Sequence, residues 1–138
     1  MTALKRLLWF DSVAGGTVAL LTLVLGSVLS PLFGVPPGLL LFLAIANATY
    51  GAFSFSLARQ ANPSPRLVRV LVIANGAWSF VCAGMVLYVR PEATWVGQAY
   101  LCVEGIFVGA LAIIEARALD HATRDTSSST APDKNVGT

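Results

Sequence analysis

The most constraining feature of this sequence is a long segment without charge: no Asp, Glu, Lys or Arg occurs between Asp11 and Arg59. A water-soluble domain carries about 25% charged residues, because its surface must be coated with solvated side chains. Here 12% of 138 residues are charged and 56% are hydrophobic, and the mean hydropathy is +0.73. These values exclude a disordered chain, collagen, a disulfide-stapled secreted domain and an ordinary soluble enzyme. They predict an integral membrane protein.

Four stretches of the chain are long and apolar enough to cross a bilayer, which takes about 20 residues of helix. Proline and glycine separate them, at Pro31 and 34–38, at 62–65, and at Arg90-Pro91. Because all three connections are short, neighbouring helices are expected to be antiparallel and packed side by side. The predicted fold is all-α, an antiparallel four-helix transmembrane bundle within residues 1–118. Its predicted spans are 7–29, 39–58, 67–89 and 95–116.

Two alternatives to this interpretation concern the first stretch and the bundle as a whole. Lys5 and Arg6 before an apolar run resemble the start of a signal peptide. The run is too long, however, Asp11 interrupts it, and no small-residue cleavage site follows at the normal distance. Soluble helical hairpins are the other alternative, but the four stretches have no charged face to meet water. The first stretch is therefore predicted to remain as a span.

The positions of the basic residues predict the orientation of the chain in the membrane. With the N-terminus inside, only Arg90 of the nine Lys and Arg residues lies on the outer side. Both termini are therefore predicted to be cytoplasmic. Residues 119–138 are polar and have no apolar period, which predicts a disordered cytoplasmic tail. The predicted cytoplasmic basic residues are Lys5, Arg6, Arg59, Arg66, Arg69, Arg117, Arg124 and Lys134.

Glu104 is the most informative polar residue inside the predicted spans. The rise per helical residue puts it near the middle of the bilayer, at the level of Asn47, with Asn75 somewhat nearer the cytoplasm. No basic residue lies at the level of Glu104, so burial favours its neutral, protonated form. One interpretation is a proton- or cation-binding group on a transport path. The other is a helix clamp that hydrogen-bonds Asn47, Asn75 or Ser79.

Asp11 and Glu115 are two further acids inside the predicted spans. They lie within about two turns of the inner interface. We expect ion pairs with basic residues at that surface, such as Arg66 and Arg69, that fasten the helices together.

Small residues recur at four-residue spacing on two of the predicted spans. Such rows let helix backbones approach closely, and packing drives association in lipid. The rows favour packing within one bundle over a dedicated dimer interface. They comprise Ala44, Ala48 and Ala52 on the second span and Gly105 and Gly109 on the fourth.

Cys82 and Cys102 are the only cysteines, and they are predicted to share a depth on adjacent spans. A disulfide or redox role is one reading, but the CxxC spacing of a redox site is absent and a buried thiol behaves as a small apolar group. With no histidine inside the spans, no metal site is predicted.

No nucleotide-binding or hydrolase motif occurs, so no cofactor and no enzymatic activity are expected. The net charge of +2 follows from orientation, so no nucleic-acid partner is expected either.

The chain resembles a broad group of small four-span bacterial inner-membrane proteins over most of residues 5–119. The resemblance rests on Leu-Trp-Phe-Asp11, on the outer-loop motif at 33–36, and on Arg66-x-x-Arg69. Asn75-x-x-Trp78 and Glu115 complete it. It implies a bacterial cytoplasmic membrane and transfers no activity. Glu104 departs from the pattern, in which an uncharged polar residue is expected.

The sequence favours two functions. The first is an accessory, assembly or regulatory subunit of a membrane process, which needs no catalytic residues. The alternative is a small proton- or cation-coupled transporter or channel, oligomeric because four short spans enclose little space, with Glu104 on the path. The predicted partners are the lipid bilayer and further copies or subunits of a membrane complex.

Overall fold

The computed structural model describes residues 3–129, and the side chains of all of them except 122, 123 and 125–129. This part of the chain is entirely helical apart from short connections. Each helix covers one predicted span and is long and apolar enough to cross a membrane. The helices are α1 (Ala3–Phe33), α2 (Pro37–Ala58), α3 (Pro65–Val89) and α4 (Trp95–Ser129).

The turn between α1 and α2 depends on Gly34 rather than on Pro31. Pro31 was expected to stop the helix, but it lies inside the last turn of α1. A proline removes one intrahelical hydrogen bond, and α1 ends two residues later in any case. Gly34 then adopts a left-handed φ of 65°, and the Val35 N–H donates to the Ser30 carbonyl at 3.2 Å. This is the glycine-terminated hydrogen-bond pattern that satisfies the last carbonyls of a helix.

Two clusters of buried apolar side chains lie at opposite ends of α1. The first joins the C-terminal ends of α1 and α3 to the N-terminal ends of α2 and α4, and it includes Phe33, Leu40, Cys82 and Leu101. The second joins the N-terminal ends of α1 and α3 to the C-terminal end of α2 and to a later part of α4. Its members are Leu4, Leu8, Leu57, Ala58, Val68, Leu71 and Leu119. The buried polar residues lie between the two clusters along the helices.

The closest helix pairs are α1 with α2 and α3 with α4. On α1 and α2, the backbones meet at two glycines. A Cβ added to Gly15 would lie 3.0 Å from the Asn47 carbonyl oxygen, and one added to Gly51 would lie 3.0 Å from the Gly16 nitrogen. Larger side chains at this crossing would force the two helices apart.

Thr94 fastens the C-terminal end of α1 to the N-terminal end of α4. Its N–H donates to the Phe33 carbonyl at 2.9 Å, and its hydroxyl donates to the Leu32 carbonyl at 2.8 Å. The same hydroxyl accepts from the N–H of Gly97 at 3.2 Å, as a helix cap does. One residue thus satisfies the end of one helix and the start of another.

Residues 119–138 were predicted to form a tail, and α4 continues into this segment as far as Ser129. Leu119 is buried in the second apolar cluster, which extends the packed face of α4 beyond the apolar segment. Asp120 and Arg124 follow at the i, i+4 spacing that stabilises an exposed helix. The remainder of the predicted tail, residues 130–138, lies outside the described residues.

Candidate intramembrane polar site

Each helix contributes to a group of buried polar side chains in the middle of the molecule. All five predicted intramembrane polar residues are less than one-tenth exposed. Asp11 lies on α1, Asn47 on α2, Asn75 on α3, and Glu104 and Glu115 on α4. Buried polar groups of this kind need partners, because each unpaired one loses the hydrogen bonds that it made with water.

Glu104 joins three helices through one of its carboxyl oxygens. Its Oε1 accepts a hydrogen bond from the Asn47 amide on α2 at 2.7 Å and from the Trp78 indole on α3 at 3.2 Å. Asn47 was an expected partner, whereas Trp78 was not. Asn75 and Ser79, which were also expected, bond elsewhere: the Asn75 amide donates to Glu115 and the Ser79 hydroxyl to the Gly105 carbonyl.

The other oxygen of Glu104, Oε2, is buried and has no hydrogen-bond partner among the described residues. The hydroxyl of Tyr100, one turn earlier on α4, forms no close hydrogen bond among the described residues either, but it lies close enough to the Glu104 carboxyl and to Thr22 to interact with both. Native structures rarely leave buried polar atoms unpaired, and those that do occur call for a structural or functional reason. Glu104 therefore has one oxygen bound to the protein and one that is available.

Asp11 and Glu115 take uncharged partners in the structure. The Ser54 hydroxyl on α2 donates to Asp11 Oδ2, and the Asn75 amide on α3 donates to Glu115 Oε2 at 3.2 Å. The ion pairs expected at the inner surface are replaced by these bonds, because both acids face the bundle interior and are buried. Glu115 Oε1 is buried without a hydrogen-bond partner in the described part of the chain.

A cavity of about 400 Å³ lies between the four helices and adjoins most of these groups. Its volume is within the range of small-molecule sites, about 300–1,000 Å³. Most of its wall is apolar or aromatic. The polar side chains that line it include Asp11, Asn47, Asn75 and Glu104.

Several residues of this site were not predicted as site residues. Trp78, Ser54 and Tyr100 share helix faces with predicted ones, so helical periodicity was the available signal. Their hydrogen-bonding roles depend on the rotation of each helix about its axis and on its distance from its neighbours. A single sequence does not specify these quantities.

The two predicted rows of small residues differ in whether they face a neighbouring helix. On α4, Gly105 and Gly109 face α3: Cβ atoms added there would lie 3.0 Å from Cys82 Cβ and 2.8 Å from Ser79 Oγ. On α2, Ala44 is fully buried, but Ala48 and Ala52 are exposed.

Within one chain the α2 row does not stay on one packed face, because four-residue steps advance 40° each around the helix. Residues 44, 48 and 52 therefore drift away from the neighbouring helices. Alternating steps of three and four residues stay on one face, and the buried polar face of α2 follows that spacing through Asn47, Gly51 and Ser54.

Enlarging Ala44 and Ala48 is expected to give opposite results. Ala44→Leu inserts three carbons into a site without space, which costs about 1–3 kcal/mol by overpacking. Ala48→Leu adds them on an exposed surface and is expected to change stability little. Thermal unfolding in detergent measures both, and equal melting temperatures for the two variants would contradict this assignment of faces.

The cysteines and the other potential metal ligands form no cluster in the described residues. Cys82 is buried and Cys102 exposed, and both are free thiols. No group of three or more His, Cys, Asp or Glu side chains that could hold a metal ion occurs in residues 3–129 where side chains are described. Intramembrane chemistry at this site therefore rests on carboxyl, amide, hydroxyl and indole groups.

Four long apolar helices around a buried polar centre are the features of a multi-pass integral membrane protein. The comparisons with known proteins add no family: no family model, curated protein or solved structure matches the chain.

Proposed function

We propose that the helices form an antiparallel transmembrane bundle with both termini in the cytoplasm of a bacterial cell, in its inner membrane. The two apolar clusters support the antiparallel arrangement, since each joins the start of some helices to the end of others. Basic residues are concentrated at one of these ends, with Lys5 and Arg6 on α1, Arg59 after α2 and Arg66 on α3, whereas the other end has Arg90 after α3. The positive-inside rule assigns that end to the cytoplasm. The bacterial location rests on the resemblance to small four-span inner-membrane proteins.

Reporter fusions test this orientation. Green fluorescent protein joined after Thr138 is expected to fluoresce, because it folds in the cytoplasm, and alkaline phosphatase joined there is expected to be inactive. Alkaline phosphatase joined after Glu92, in the connection between α3 and α4, is expected to be active. The reverse pattern would contradict the proposed orientation.

We propose that the protein is a small proton- or cation-coupled transporter that works as an oligomer. The observation that carries the proposal is the free Oε2 of Glu104, a buried carboxyl oxygen without a partner beside a cavity. Acidic groups inside a membrane are costly, and they mark ion pathways and proton relays. A carboxyl with one oxygen held and one available is suited to gain and lose a proton or to bind a cation.

The other acids extend a path from Glu104 toward the cytoplasmic end. Asp11 lines the same cavity as Glu104. Asn75 also lines it and donates a hydrogen bond to Glu115. Three acids on two helices thus follow one another between the middle of the bundle and its basic end. The cavity of about 400 Å³ does not by itself form a path across the membrane, and in this proposal neighbouring copies complete the path.

An accessory, assembly or regulatory role is the second candidate, and a different observation favours it. Glu104 Oε1 binds side chains of α2 and α3, so the residue also acts as a clamp on three helices. A subunit that only needs a stable shape would require the clamp and not the free oxygen.

Proton flux in proteoliposomes separates the two candidates. An imposed pH gradient is expected to drive proton movement through the wild-type protein, and Glu104→Gln is expected to stop it. Unchanged flux in that variant would remove the central residue of the transport proposal and leave the accessory role. Absence of proton flux in the wild-type protein would also contradict the transport proposal and leave the accessory role.

A further inference from the structure

The central cavity opens sideways, between α1 and α4. Most of its lining residues are buried or half-buried, but Thr17 on α1 and Val103 and Phe107 on α4 are exposed. Val103 is 66% exposed and Phe107 40%. In a chain that spans a membrane, the exposed sides of these helices face lipid. The cavity is therefore accessible from the hydrocarbon layer through an apolar opening.

The side chains that line the cavity favour a ligand with a positive charge on an apolar body. Among the described residues, the carboxyl groups that line it are those of Asp11 and Glu104, and no Lys or Arg lines it. Tyr50, Trp78 and Tyr100 contribute aromatic rings, whose faces attract cations. A hard metal ion would instead require several oxygen ligands around it, and this wall is mostly apolar.

We propose that the cavity binds a lipophilic organic monocation, an ammonium group on an apolar body, which enters from the bilayer between α1 and α4. The cationic group lies against the free Oε2 of Glu104 and the aromatic rings. The apolar body extends toward Val103 and Phe107. This inference rests on the proposed function and names the class of substrate that the same site takes.

Binding exchanges the cation for one proton. The exchanged proton comes from the Glu104 carboxyl: its O–H bond breaks, the electron pair stays on the carboxylate and the proton passes to the buffer. The charge of the site is then the same before and after binding. The other titratable groups near Glu104 are Asp11 from α1, Tyr50 from α2 and Tyr100 from α4, with the buried thiol of Cys82 on α3.

Benzyltrimethylammonium and its neutral isostere neopentylbenzene test the requirement for charge. They have the same shape and differ in the central atom, nitrogen or carbon. Binding to the purified, detergent-solubilised protein is followed by the fluorescence of Trp78, after Trp9→Phe and Trp95→Phe remove the other two tryptophans. A pH indicator in weak buffer measures the proton. We expect saturable binding of the cation with release of one proton, and at least tenfold weaker binding of the isostere.

Matched variants assign the binding to this cavity. Glu104→Gln is expected to weaken cation binding at least tenfold and to abolish proton release. Glu92→Gln, an equivalent change in the exposed connection before α4, is expected to change neither. Thr17→Phe at the opening is expected to weaken or slow binding, whereas Leu20→Phe, on a lipid-facing position of the same helix, is expected to have no effect.

Each result has a defined meaning. Equal binding of the neutral isostere, full affinity in Glu104→Gln, or no binding of the cation would overturn the inference. Cation binding with proton release, but without proton flux when the cation is supplied on one side of the membrane, would overturn the transport proposal and leave the inference intact. Proton flux that depends on Glu104 without cation binding would do the opposite.

Discussion

Glu104→Gln is expected to reduce proton flux at least tenfold while leaving the protein as stable as the wild type. Gln keeps an oxygen where Oε1 lies, so it still accepts hydrogen bonds from Asn47 and Trp78. It has no proton that it can release within the physiological pH range. The substitution therefore removes the exchangeable proton and keeps the clamp.

Glu104→Ala is expected to lose both the exchangeable proton and the clamp between the helices. It removes the acceptor for the Trp78 indole and for one hydrogen of the Asn47 amide, whose other bond, to the Leu43 carbonyl at 3.0 Å, remains. A buried donor left unpaired costs about 1–3 kcal/mol. Measured side-chain hydrogen bonds between membrane helices average only about 0.6 kcal/mol, so the lower part of that range is expected for each donor.

The two variants are compared by dye-based flux in proteoliposomes and by thermal unfolding in detergent. Glu92→Gln serves as the control for an acid outside the cavity. We expect the melting temperature of Glu104→Gln to match that of the wild type and that of Glu104→Ala to fall by several degrees. If the Gln variant is destabilised as much as the Ala variant, the clamp described for Oε1 is wrong.

The fold could be predicted from the sequence because the constraints of a bilayer are few and strong. A charge-free run, helix-breaking residues at three places and the length needed to cross hydrocarbon predict four helices, and four are present in residues 3–129. Pro31 was expected to stop α1 but lies in its last turn, and α4 continues beyond the predicted start of the tail. A proline in the last turn of a helix removes only one hydrogen bond, so the helix can include it. A polar segment can continue a helix when the preceding turn is packed, and Leu119 in that turn is buried in the second apolar cluster.

The candidate site could be predicted only in part. Polarity and depth identified Glu104 and included Asn47 among its three expected partners, because both quantities follow from residue type and from the rise per residue. The Trp78 contact, the Ser54 partner of Asp11 and the unpartnered Oε2 depend on helix rotation. The cavity depends on the separation between α1 and α4, to which no residue pattern in the sequence corresponds.

The substitution with the largest expected effect on stability is Gly97→Ala, at the contact between α1 and α4. A Cβ added to Gly97 would clash with the Phe33 carbonyl oxygen, far inside the closest approach of real Cβ atoms. The obstacle is backbone and cannot rotate away. It also belongs to the end of α1 that Thr94 holds by two hydrogen bonds. Gly97→Ala must therefore displace one of the two helices.

We expect Gly97→Ala to lower the free energy of unfolding by about 3 kcal/mol, at the upper end of overpacking costs. Gly84→Ala is the matched control, since Gly84 lies in α3 and an added Cβ meets nothing within 4 Å. There the substitution is expected to be neutral or to stabilise by up to about 1 kcal/mol, by restricting the unfolded chain. Thermal unfolding of both variants in the same detergent provides the measurement. Equal melting temperatures would mean that α1 and α4 are further apart at this end. The cavity between them, and the lateral opening that depends on the same two helices, would then also need a different geometry.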